Sequence, residues 1–83
     1  MNELNIEQLN ITEEQKRNIK GWLKFTKLKP KFLHIDKLGY LYETGYNEIK
    51  KCLVTFRIFQ SGLCDMHSGN VNINEFELIH EFK

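Results

Sequence analysis

The 83-residue sequence predicts an α+β fold, with one main N-terminal helix over about residues 13–27 packed on a four- to five-stranded antiparallel β-meander. Three observations predict it. A capping signal at Thr12 opens a run with helical spacing. Pro30 closes that run. Beyond it the chain breaks into short aromatic and β-branched segments separated by glycine, which is the pattern of strands and turns.

The first eleven residues hold the echo Leu4-Asn5-Ile6 and Leu9-Asn10-Ile11, read as extended or as a loose turn. In Thr12-Glu13-Glu14-Gln15 the Thr hydroxyl can accept from the Gln15 amide while the Gln15 side chain reaches back. Glu13 and Glu14 near the start, with Lys24 and Lys27 near the end, complement the helix dipole. Ile19, Trp22, Leu23 and Thr26 keep helical spacing, so Trp22 is read as core and Phe25 falls off the apolar stripe. Lys16, Lys20, Lys24 and Lys27 fall in one sector beside that stripe, with Arg17 at its edge and Lys29 and Lys31 extending it.

Lys31–Asp36 and Tyr40–Glu43 read as two strands around a three-residue loop, Lys37-Leu38-Gly39, with glycine in the left-handed last position. That register sets Ile35 opposite Leu41 and His34 opposite Tyr42. Leu33, Ile35 and Leu41 then share one face, while Phe32, His34, Tyr40 and Tyr42 share the other. If the helix covers the aliphatic face, the rings look outward. Ile49–Phe59 is the most strand-like stretch, with Cys52, Val54, Phe56 and Ile58 on one face. A loop Gln60-Ser61-Gly62 keeps the next strand's apolar groups on that face, placing Cys64 opposite Ile58 and Met66 opposite Phe56. A turn at Ser68-Gly69 sets Met66 against Val71 and Cys64 against Ile73. Gly39, Gly45, Gly62 and Gly69 are read as turn glycines. Residues 75–82 alternate as a strand, with a parity change near Asn74 that a bulge can absorb; the rival reading is a helix capped by Asn74.

Composition bounds the function. With 41% hydrophobic residues, 12% aromatics and a net charge of +1, the chain is no disordered segment. It reads as a single small globular domain over 1–83. No apolar run approaches the roughly 18 residues of a membrane span, and the start lacks the basic and apolar stretch of a secretory signal. The expectation is a cytoplasmic protein without a membrane partner, its two cysteines reduced. The charge is uneven: residues 12–37 carry eight lysines and arginines against three acids.

Chemistry-bearing motifs are sparse. Cys64-Asp65-Met66-His67 has half a zinc site's spacing, with Cys52, His34 and His80 as the other candidate ligands. Strand alternation sends Cys64 and His67 to opposite faces, however, so no metal or other cofactor is expected. The cysteines read as buried, inert thiols. There is no phosphate-binding glycine loop and no singled-out acid–base pair, so no catalytic residues are assigned and the chain is not read as an enzyme. In size, AT-rich residue bias (no alanine, many Lys, Asn and Ile) and lack of catalytic motifs, it resembles in type the small inhibitors of phages and mobile elements: anti-defence proteins, immunity proteins and antitoxins. The expected activity is occupation of a protein or nucleoprotein partner by Phe32, His34, Tyr40, Tyr42 and Phe25, with Lys16, Arg17, Lys20, Lys24 and Lys27 steering association. The alternatives are nucleic-acid binding through the basic helix face and aromatic hairpin, and a small nuclease. An edge strand also offers a route to a homodimer.

Overall fold

A computed structural model describes residues 4–67 and 76–82. A short 3-10 turn, Ile6–Gln8, precedes helix α1 (Glu13–Phe25), followed by strands β1 (Lys29–Ile35), β2 (Leu41–Asn47), β3 (Cys52–Ile58), β4 (Cys64–His67) and β5 (Glu77–Glu81). All pairings are antiparallel, in the order β4-β3-β2-β1-β5. The first four strands form the meander. The last lies outside it, beside β1.

The capping box forms as expected. Thr12 Oγ1 accepts from the Gln15 amide at 3.2 Å, and Gln15 Oε1 accepts from the Thr12 amide at 3.1 Å. Gln15 goes further than a cap: its Nε2 donates to the Gly39 carbonyl at 2.8 Å and to the Ile58 carbonyl at 3.3 Å. The helix start is thereby tied to two sheet loops. The helix ends at Phe25, two residues short of the expected 27, because the Thr26 hydroxyl turns the chain by accepting from the Leu28 amide. Ile19, Leu33, Leu41 and Ile58 form the buried core, with Leu4, Ile6, Leu9 and Ile11 of the N-terminal segment packed against it. Each such aliphatic removed from water contributes roughly 1.5–3 kcal/mol.

Both hairpin registers match the pattern-based expectation. Ile35 faces Leu41 and His34 faces Tyr42; Cys64 faces Ile58 and Met66 faces Phe56. Gly39 and Gly62 adopt φ of +85° and +91° in the two loops, where a side chain would be strained. Gly45 is different. It lies inside β2, where a Cβ would stand 2.8 Å from the Leu28 Cβ, so close approach rather than a turn demands glycine. The start of the third strand also differs. Asn47 Oδ1 accepts from the amides of Ile49 and Lys50, Lys51 has φ of 55°, and β3 begins only at Cys52. The C-terminal segment is a strand, not a helix. Its bulge lies at Ile79, between the pairs Leu33–His80 and His34–Leu78. Consequently Ile79 and Phe82 reach the core while Leu78 turns to the other face. The expected strand pairing at Val71 and Ile73, Gly69, and the parity change near Asn74 lie outside the described residues.

Candidate binding surfaces

The face of the sheet away from α1 carries Phe32 and His34 from β1, Tyr42 and Thr44 from β2, Thr55 and Arg57 from β3, and Asp65 and His67 from β4, as pairing and alternation require. It is not the open aromatic platform that the sequence suggests. Tyr42 is only 4% exposed and His34 7%. The Phe76 ring stacks on Tyr42 at 4.3 Å and 25°, and His67 meets the same ring edge-on at 5.2 Å. Tyr42 is thus the centre of a second, smaller core.

Its hydroxyl and the Arg57 and Asp65 side chains beside it find polar partners. The Tyr42 hydroxyl donates to Asp36 Oδ2 at 2.8 Å, while Asp36 Oδ1 accepts from the amides of Leu38 and Tyr40. Arg57 grips Asp65 with two hydrogen bonds of 3.1 and 2.7 Å and lies 4.9 Å over the Phe59 ring. Burial, reinforced by Asp36, pushes the Tyr42 phenol up to about 12. The Arg57 guanidinium holds the Asp65 carboxyl below its ordinary range. Burial lowers the His34 imidazole, whose Nδ1 has no hydrogen-bond partner among the described residues. Phe32 and Tyr40 are half-buried; Tyr40 rests edge-on against Phe59 at 4.9 Å. Of the five proposed contact residues, Phe25 alone stands well out of the fold, at 75% exposure.

The basic helix face divides in two. Lys16 Nζ lies 3.2 Å from the Glu7 carbonyl and 3.3 Å from Glu13, Arg17 lies 3.9 Å from Glu14, and Lys20 pairs with Glu7. Lys20 thereby lowers the Glu7 carboxyl. Lys24 and Lys27 meet no carboxylate among the described residues; the Lys24 ammonium lies 5.4 Å over the Phe25 ring. Lys29 pairs with Glu48, which raises its ammonium.

Two further features escape sequence reading. Glu43 is 2% exposed under α1, between Leu33 of β1 and Phe56 of β3. Burial pushes its carboxyl up to about 8. Its polar partner is Asn18 of α1, whose amide nitrogen, turned toward it, donates at 2.8 and 3.2 Å. Alternation placed Glu43 on the apolar face, and that was the available signal. Second, residues 48–51 carry Ile49, 94% exposed, beside Lys50 and Lys51; the Asn47 turn was hidden within an apparent strand.

Cys52 and Cys64 are free and exposed, not buried as expected. The helix covers Leu33, Leu41 and Ile58 and leaves Cys64 and Met66, on the β4 side, in solvent. Cys64 and His67 lie on opposite faces of β4, paired with Ile58 and Thr55. Among the described residues no three His, Cys, Asp or Glu side chains group where they could hold a metal ion. No described helix is long and apolar enough to cross a membrane. Comparison of the chain with protein-family models, with curated proteins and with solved structures finds no match.

Proposed function

We propose that the protein is a non-enzymatic binding module that acts by occupying a macromolecular partner, in the manner of small inhibitor proteins of the anti-defence, immunity or antitoxin type. The observation that carries this reading is Phe25. Its ring is held in water at the end of a helix whose start is capped and tied to the sheet, and whose last turns are anchored by Trp22 against Phe82 at 5.8 Å. A ring that already stands in water on an anchored helix can be contacted without rearranging the fold, which suits it to a contact anchor. Lys24 and Lys27 beside it favour an anionic partner and speed encounter at low salt.

The reading replaces the aromatic hairpin as the contact surface, since Tyr42 and His34 are consumed by internal packing. Affinity capture from the native host tests it, comparing the wild-type chain with a Phe25→Ala/Lys24→Gln/Lys27→Gln variant of native circular dichroism. A macromolecule retained in stoichiometric amount by the first and lost by the second supports the reading. Equal retention by both, or retention of nothing, removes it.

A further inference from the structure

Antiparallel pairing brings four chain segments to one end of the molecule. Lys29 at the start of β1 lies opposite Tyr46 near the end of β2, Asn47 faces Cys52 across the β2–β3 turn, and Glu81 at the end of β5 faces Phe32. The last turn of α1 joins them, because Trp22 meets Phe82 and Leu28 closes on Gly45. Among the described residues that end therefore collects Lys24, Lys27, Lys29, Lys31, Lys50 and Lys51 against Glu48 and Glu81, and Glu48 is already engaged by Lys29. The opposite end holds the helix start and the two hairpin loops, linked by Gln15 to Gly39, Thr12 to Gln60 and Gln60 to Leu38. Its charges are mixed, with Glu13, Glu14 and Asp36 beside Lys37.

We infer that the lysine-rich end binds the sugar–phosphate backbone of an unpaired nucleic-acid strand, with one base stacked on Phe25. The inference rests on the reading of this end as a contact surface and names its partner. A protein interface concentrates its energy in a contiguous apolar centre and is depleted in lysine. Here lysines from three segments share the end with three exposed apolar side chains carried by different elements, Phe25 on α1, Ile49 in the β2–β3 turn and Leu53 on β3. A polyanion matches dispersed charge of one sign, because each lysine neutralises a phosphate without needing a fixed geometry. The exposed ring supplies what a single strand offers and a duplex hides, an aromatic face for an unpaired base. Lys24, held over the ring, is positioned to meet the phosphate next to that base. Lysine in place of arginine predicts indifference to base sequence.

The test is fluorescence anisotropy of the full chain with labelled ~15-nucleotide oligo-dT, oligo-U and a duplex of equal length, from ~25 to ~200 mM KCl. Expected are micromolar or tighter binding of both single strands at low salt, weaker binding of the duplex, and a log–log salt slope of about −3, as four or five neutralised phosphates require. Phe25→Ala should weaken single-strand binding roughly five-fold or more, as loss of one stacked base implies, and Ile49→Ser should leave it unchanged. Lys50→Gln/Lys51→Gln should flatten the slope by about 1.4. All four lie at exposed positions, and native circular dichroism is the control. Absence of binding at the lowest salt overturns the inference, as does a duplex bound as tightly as a single strand or binding indifferent to Phe25. Should oligonucleotides fail while the capture experiment above still yields a protein lost by the variant, the contact surface stands and its nucleic-acid partner falls. If both fail, both readings fall.

Discussion

Tyr42 joins three contacts in one side chain: a ring stacked on Phe76, an edge-on neighbour in His67, and a hydroxyl donating to Asp36. These separate by substitution. Tyr42→Phe keeps the ring and removes the hydroxyl, so it should cost about 1 kcal/mol. Tyr42→Ala empties a site in the second core and should cost about 3–5 kcal/mol, enough to unfold much of a marginal small domain. Phe25→Ala, by contrast, should fall within about 0.5 kcal/mol of wild type, because the ring is exposed. Urea unfolding of the three variants checks the ordering; an innocuous Tyr42→Ala would return the tyrosine to the surface. The sequence made Tyr42 legible as a ring opposite His34 and facing away from the helix, which is correct. What hid its burial is that Phe76 lies far along the chain and reaches Tyr42 only through the placement of β5, which no local pattern encodes. The same limit applies to Cys64. Its face was readable from parity, but whether the helix extends over that face was not.

Elements were more legible than sites because their signals are local. The Thr12 cap, the two glycine loops and the registers of the β1–β2 and β3–β4 hairpins follow from short-range chemistry, and the structure carries each of them. Thr12→Ala should remove the cap and also the bond from its hydroxyl to the Gln60 carbonyl, lowering stability by about 1–2 kcal/mol. The errors arose where a residue type serves two purposes. Gly45 reads as a turn in sequence, yet it is a strand residue kept small by Leu28. Gly45→Ala should therefore destabilise by about 1–3 kcal/mol through crowding alone, and Gly45→Ala combined with Leu28→Ala should recover part of that loss. A denaturation series on the single and double variants measures the coupling; strict additivity would mean that Leu28 is not the obstacle. In the same way Ile49, Lys50 and Lys51 read as the start of the third strand, whereas the Asn47 carboxamide builds a turn that puts them at the lysine-rich end.

At the scale of the whole molecule, the central strand β2 is buried on both faces, and two ionisable groups near it have their charged forms disfavoured by burial: Glu43 beneath α1 and His34 on the opposite side. Their effects on stability have opposite signs. His34 titrates below its ordinary value in the folded chain, so the unfolded chain binds the extra proton and stability rises with pH up to the unfolded histidine range near 6.5. Glu43 titrates at about 8 when folded against about 4.3 when unfolded. Across that interval the folded chain keeps a proton that the unfolded chain has lost, and stability falls as pH rises. Below about 6.5 the two slopes oppose each other; above it, of the two, the Glu43 slope continues to about 8. Stability should then decline by up to about 2 kcal/mol over that window, at no more than about 1.4 kcal/mol per pH unit. The surface pair Lys20–Glu7 contributes little there, since exposed pairs are weak and its carboxyl titrates well below the window. Glu43→Gln retains the shape and can still hydrogen-bond Asn18, so its unfolding free energy should be flat over the same range and exceed wild type at pH 8. A wild-type curve that is level from pH 6.5 to 8 would mean that Glu43 is ionised at neutrality. The helix would then have to rest on a buried charge that Asn18 alone is poorly equipped to hold.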